Sequence, residues 1–161
     1  MKPRALWIED SARLELANLC GPVFFRGTCQ LNVAEDVTTA VDMLNANPYD
    51  VVIVDVRLPP GTDEHWRTQY MQAGADKVHA QLGLRLLRWL LNEDQSIYPY
   101  RPPAWIDPSR IGVFTVESHH EVAPELDNLG VGIYQQKVAD VPDTILDDLI
   151  NRVMTESALG N

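Results

Sequence analysis

Val51-Val52-Ile53-Val54-Asp55-Val56-Arg57-Leu58-Pro59-Pro60-Gly61 runs four β-branched apolar residues into a carboxylate and a proline-rich turn. An apolar run without alternation marks a strand buried on both faces, and such strands belong to parallel sheets covered by helices. Parallel strands need crossover helices, so the flanking sequence must supply them. Upstream, Ala5-Leu6-Trp7-Ile8 reads as a first strand ending in Glu9-Asp10. Ser11 is placed to cap a helix through about Leu19, stopped by Gly21-Pro22, with Val23-Phe24-Phe25 as the packed end of that connection. A second strand covers Cys29 to Ala34. Asp36 caps a helix from Val37 to Asn45, with Val37, Ala40, Val41 and Leu44 at helical spacing, and Asn47 to Asp50 is a turn.

Downstream, Gly83 to Asn92 is a helix that could extend back toward Glu64. Prolines at 99, 102, 103 and 108 predict an extended surface segment. Ile111 to Thr115 is a fourth strand, and a short helix follows near Pro124 to Asn128, stopped by Gly130. Gly132 to Gln136 is a fifth strand, less apolar and nearer an edge. Pro142 opens a last helix with a stripe of Ile145, Leu146, Leu149, Ile150 and Val153, after which the tail is expected to fray. Strands alternating with helices give a doubly wound α/β domain with a five-stranded parallel sheet, without internal repeat or second domain.

The composition narrows the function classes. At 161 residues and 45% apolar, the chain can bury a real core. No stretch approaches the roughly 20 apolar residues that span a bilayer, so no membrane is expected as partner. The start is acidic within ten residues and lacks the apolar core of a signal peptide. Cys20 and Cys29 fit no metal or redox spacing and read as reduced thiols of a cytoplasmic protein, a disulfide being the alternative. A net charge of −10 with no basic stripe argues against nucleic acid.

In a doubly wound sheet the functional groups gather at the carboxyl ends of the strands. Here those ends carry Glu9-Asp10, Asp55, Thr115 and Lys137. Three carboxylates in one crevice repel, at about 4 kcal/mol per pair 4 Å apart for an effective dielectric near 20. Removing one, as in Asp10→Ala, is therefore expected to raise stability in the absence of a cation. Compensation must come from Lys137 or a hard cation. Mg2+ suits a few carboxylates, a backbone carbonyl, retained waters and a phosphate oxygen. Such a site points to phosphoryl chemistry, in which a carboxylate can be the nucleophile.

These pieces, in this order, resemble the receiver domain of two-component response regulators, the CheY-like family. The resemblance rests on Glu9-Asp10, on Asp55 followed by Pro59, on Thr115, and on Tyr134-Gln135-Gln136-Lys137. Asp55 stands 45 positions beyond Asp10 and Lys137 22 beyond Thr115. Ala34-Glu35-Asp36, Gly130 and Gly83 to Leu87 also look like family members. It covers about residues 4 to 60 and 110 to 155 and implies a flavodoxin-like fold. It implies that Asp55 accepts a phosphoryl group from a sensor histidine kinase or phosphotransfer protein. Asp10 would then ligate Mg2+ directly, Glu9 through water, and Asp55 and the Arg57 backbone carbonyl would complete the protein ligands. Thr115 and Lys137 would bind phosphoryl oxygens, and Thr115 and Tyr134 would form the switch.

Four features depart from that family. Val138 stands where a proline usually follows the lysine, and Arg57 is a basic residue two positions beyond the acceptor. Val116, where the family prefers a small residue, would narrow access to Asp55. Thr115 lies 60 positions after Asp55, much more than the family interval, with the excess near 61–82 and 93–109. That enlarged region holds Trp66, Tyr70, Tyr98, Tyr100 and Trp105, suited either to a partner or homodimer surface or to packing onto its own domain. His65 and His79 are too far apart to suggest a metal pair, and His119-His120 reads as a loop pair near the pocket mouth.

A haloacid-dehalogenase-type phosphatase would need a second acid where Arg57 stands, and no GxxxxGK[ST] or GxSxG motif occurs. The expectation is thus a single, stand-alone receiver domain spanning 1–161. The chain ends soon after the last helix's stripe, so its output would be contact with a downstream protein rather than catalysis. The alternative is a pseudo-receiver, an interaction module that is not phosphorylated.

Overall fold

The computed structural model describes residues 2–159. β3 (Val51–Val54) is buried along its whole length. It is the middle strand of a five-stranded sheet of order β2-β1-β3-β4-β5, formed with β1 (Arg4–Ile8), β2 (Gln30–Ala34), β4 (Ile111–Thr115) and β5 (Ile133–Gln136). All four pairings are parallel. Ile8 pairs with both Ala34 and Val54, so the carboxyl ends of the three strands on this side lie level. The expected parallel α/β architecture is the observed one.

Alternate residues of each strand feed opposite faces. Leu6, Ile8, Val52 and Val54 pack with α2 (Val37–Ala46), α5 (Leu82–Asn92) and α6 (His119–Leu129). Ala5, Trp7, Val51 and Ile53 pack with α1 (Cys20–Arg26) and α7 (Ile145–Leu159). The predicted stripes bury Val37, Ala40, Val41 and Leu44 of α2, and Leu146, Leu149, Ile150 and Val153 of α7. Asp36 caps α2 by accepting from the Thr39 N–H at 2.7 Å, satisfying a donor the helix leaves unpaired. Gly130 ends α6 in the left-handed region, φ 75°, where glycine carries no Cβ penalty.

Several boundaries differ from the sequence reading. Residues 11–16 form turns, followed by a 3-10 turn (Ala17–Leu19), and the first α-helix is α1, which begins where the reading ended it. Gly21 and Pro22 fall in its first turn, where a missing proline N–H costs nothing. Ser11 caps no helix; its N–H donates to Glu9 Oε2 at 3.2 Å. The helix expected near Pro124–Asn128 spans His119–Leu129, started by Ser118, so His119 and His120 are helical rather than in a loop. α7 starts at Ile145, three residues after Pro142, and remains helical to Leu159; Gly160 and Asn161 lie outside the described residues.

The β3–β4 connection contains two further helices, α3 (Glu64–Gln72) and α4 (Lys77–Ala80), capped by Asp63 and Asp76. Left-handed backbone at Gly74, Ala75 and Gln81 separates them from each other and from α5, which is why no continuous helix runs back from Gly83. The proline-rich segment is extended but not merely superficial. Tyr98 stacks on Trp66 (5.3 Å) and meets Trp89 edge-on (5.0 Å). Trp89 Nε1 donates to the Tyr100 carbonyl at 2.7 Å, and Gln69 Nε2 to the Ile97 carbonyl at 2.6 Å. The aromatic set thus packs this region onto its own sheet-and-helix layer, with Tyr100 the more exposed ring.

Candidate functional site

The sheet ladder runs one residue past the ends of its strands, and those residues are the polar ones. The Glu9 N–H donates to the Ala34 carbonyl (2.8 Å), the Asp55 N–H to the Ile8 carbonyl (3.1 Å), and the Lys137 N–H to the Thr115 carbonyl (2.7 Å). Each side chain therefore departs from rigid backbone. This anchors Lys137 although Val138, not proline, follows it. Glu9, Asp10 and Asp55 each bring an oxygen within 4.8 Å of the others. Glu9 is buried, Asp55 is 4% exposed and Asp10 is half-buried. They open onto a cleft of about 660 Å³ that Arg57, Lys77, Val116, Lys137 and Val138 also line.

Two lysines answer the three acids. Lys137 Nζ donates to Asp55 Oδ2 at 2.9 Å and to Glu9 Oε1, and lies 5.4 Å from the centre of the Phe114 ring. Lys77 Nζ, from α4, donates to Asp10 Oδ2 at 2.6 Å. Burial, then the charge of Asp55, push Glu9 up to about 8, outweighing the opposing pull of Lys137. Burial also acts to raise Asp10, but hydrogen bonds from Lys77 and Glu9 prevail and hold it below the usual carboxylate value. Because Lys77 already pairs Asp10, the crowding expected at Asp10 falls instead on Glu9 and Asp55, which share Lys137.

Around this centre the loops are tied together. The Arg57 N–H donates to Asp55 Oδ1 at 3.3 Å, which turns its peptide toward the acid. The Arg57 side chain, which lines the cleft, is not free in solvent: its Nε donates to Glu117 Oε1 at 2.7 Å. Glu117 is buried; burial acts to raise its carboxyl, yet the Arg57 bond leaves it below the usual value. Tyr134 is half-buried, with its hydroxyl donating to the Glu117 carbonyl, and its ring lies 4.9 Å from that of His119. Thr115 is fully buried, and its Oγ1 accepts from the Glu117 N–H at 3.4 Å. It lies beneath the cleft rather than among its lining residues. His79 pairs with Asp76, and His65 packs edge-on against Tyr98 and Tyr100, so neither faces the acids.

Three contributors escaped the sequence reading. Lys77 and Glu117 lie outside the regular strand ends, so no periodicity announces them. Gly83 sits in the first turn of α5 with its N–H donating to the Val56 carbonyl at 3.1 Å. A Cβ there would lie 2.0 Å from the Asp55 carbonyl oxygen. A glycine opening a strongly apolar helix was the available signal for that close approach.

The donor set fits a hard cation: three carboxylates converge, and the cleft leaves room for water. No protein-family model matches the sequence, and no curated protein is significantly similar to it. Solved structures match in fold. A CheY-like response regulator receiver domain protein from Methanospirillum hungatei aligns at TM-score 0.63 and 15% identity, covering 100% of both chains. A Francisella response regulator receiver domain gives 0.60 and 20%, over 99% of this chain and 100% of that one. The signal receiver domain of a LuxO-type repressor protein from Vibrio parahaemolyticus gives 0.64 and 16%, over 99% and 95%. The chain therefore has the flavodoxin-like fold of response regulator receiver domains.

Proposed function

We propose that the protein is a response regulator receiver whose phosphoacceptor is Asp55, and that 1–161 form a single domain of this kind, enlarged at 61–82 and 93–109. The observation that carries the reading is Asp55 at the end of β3, lining an open cleft, within 4.8 Å of two other carboxylates and bonded to Lys137. A carboxylate oxygen of Asp55 attacks the phosphorus of a phosphohistidine. The P–N bond breaks, its electron pair returns to the imidazole nitrogen, which takes a proton, and an acyl phosphate remains on Asp55. Lys137 stays beside the new charge and the Arg57 N–H is a donor already at the carboxylate, while the buried Thr115 hydroxyl would have to move to reach a phosphoryl oxygen. Glu9, Asp10, Asp55 and the Arg57 carbonyl would hold Mg2+. Bound there, the ion would neutralise the carboxylates and polarise a phosphoryl oxygen.

Phosphate on Asp55 adds negative charge beside buried Glu9. Movement of Thr115 toward it would release the Glu117 N–H and, through the Glu117 carbonyl, disturb Tyr134. The output is then a change on the α6–β5–α7 face read by a downstream protein. The phosphodonor is a sensor histidine kinase or phosphotransfer protein, and the setting is cytoplasmic; both cysteines are free thiols and no described helix is long and apolar enough to cross a membrane. Apart from self-phosphorylation and autodephosphorylation, no catalytic turnover is proposed.

Intact-mass measurement after incubation with acetyl phosphate and MgCl2 tests the reading. One added phosphoryl group is expected in the wild type and none in Asp55→Asn. No gain in the wild type favours the pseudo-receiver, in which Lys77 and Lys137 simply neutralise the three acids. Turnover of a generic phosphomonoester would indicate a phosphatase instead.

A further inference from the structure

Lys77 reaches the acid cleft from outside the sheet. Lys137 is anchored by the ladder and its side chain is only 12% exposed. Lys77 instead rides on the single turn of α4, and its side chain is 42% exposed. That turn hangs between left-handed joints at Gly74 (φ 84°), Ala75 (φ 55°) and Gln81 (φ 46°), and Ala80 is its buried member. Left-handed backbone at non-glycine residues costs about 1 kcal/mol each, so the conformation persists only while contacts hold it. The 2.6 Å bond from Lys77 to Asp10 Oδ2 is one such contact.

The same bond takes up lone pairs of an acid in the cation-binding group. A Mg2+ ion about 2.1 Å from a carboxylate oxygen would face the ammonium at close range, and two cations compete for one carboxylate. We propose that Lys77 is a built-in competitor for the divalent cation at Asp10, so that an ion entering the cleft displaces the lysine and loosens α4. Occupancy of the phosphoacceptor cleft would thereby be displayed on the surface that carries Val78 and His79. The proposal deepens the receiver reading and rests on its cation site.

Titration calorimetry with MgCl2 on the wild type and Lys77→Met, which keeps an unbranched apolar stem without the charge, tests the competition. Binding roughly three- to fivefold tighter is expected in the variant, the scale of a partly exposed ion pair. Hydrogen exchange tests the release. The N–H groups of Val78, Ala80 and Gln81, bonded to Asp76 Oδ1 (2.8 Å), the Asp76 carbonyl (2.9 Å) and the Lys77 carbonyl (3.2 Å), should exchange faster when Mg2+ is added to the wild type. Binding by Lys77→Met alone would mean that Lys77 shuts the ion out rather than yielding to it, and would overturn the release of α4. Equal affinities, or unchanged exchange at those amides, would overturn the proposal while leaving the cation site standing. No binding to either protein would remove both.

Discussion

At the residue scale, Glu9 is the group whose ionisation the fold opposes most clearly. Its burial and then the charge of Asp55 raise its pKa from 4.5 to about 8, against the opposing pull of Lys137, which it shares with that acid. A raised folded-state value means that the native protein holds a proton that the unfolded chain has already released. Stability from this group is full below pH 4.5 and is lost as pH rises toward 8. Asp10 is shifted the other way, so its contribution disappears only in acid, below the window in which Glu9 acts. In urea titrations without divalent cation, the wild type is expected to lose stability from pH 5 to pH 8 relative to Glu9→Gln, and the variant to be the more stable protein at pH 8. Parallel profiles for the two proteins would show that burial does not hold the proton on Glu9. The acids themselves were legible in the sequence, because each ends an apolar run. Their unequal electrostatics were not, because Lys77 reaches Asp10 across 67 positions from an irregular connection.

At the scale of elements, the fit between α5 and the loop after β3 sets the position of Asp55. Gly83 allows the first turn of α5 to touch that loop, where an added methyl would stand 2.0 Å from the Asp55 carbonyl oxygen and 2.8 Å from the Val56 Cα. Alanine would favour a helix by at most about 1 kcal/mol, and less in a first turn. Pushing a helix off backbone atoms costs about 1–3 kcal/mol, with no flexible side chain to give way. Gly83→Ala should therefore destabilise the protein by about 2 kcal/mol in denaturant titration and slow phosphorylation of Asp55; unchanged stability would mean that α5 can shift freely. The same comparison explains which elements could be read in advance. β3, α2 and the first half of α7 announce themselves because burial leaves one clear apolar pattern in each. The first connection misled because Ser11 looks like a cap, whereas its N–H serves Glu9 and Leu14 is 76% exposed, so no buried stripe supports a helix there. The 93–109 segment was legible as extended from its prolines, but the packing of Tyr98 flat on Trp66 and edge-on to Trp89 depends on where α3 and α5 lie in space.

At the scale of the whole molecule, a parallel sheet turns distance along the chain into proximity. Lys137 bonds Asp55 across 82 positions and Glu9 across 128, and both contacts follow from strands that end on the same side. This convergence is why the acids and Lys137 could be nominated from strand ends alone, while Glu117 and Lys77, supplied by loops and an added turn, could not. The arrangement concentrates acids in a protein already at −10, and the repulsion between Glu9 and Asp55 is avoided below about pH 8 only by a proton held on Glu9. A divalent cation that binds the folded cleft and not the unfolded chain relieves that repulsion and stabilises the whole domain by linkage, about 2.7 kcal/mol at a hundredfold excess over Kd. For a chain of this length that is a rise in Tm of about 5–10 °C. General screening of surface charge would also raise Tm, so the comparison must be made at equal ionic strength. MgCl2 is expected to raise Tm well beyond matched KCl in the wild type, and much less in Asp55→Asn, which removes a charge from the group. Equal effects of the two salts would mean that the carboxylates at the strand ends are neutralised by Lys77 and Lys137 alone, and the cleft would then have no use for an ion.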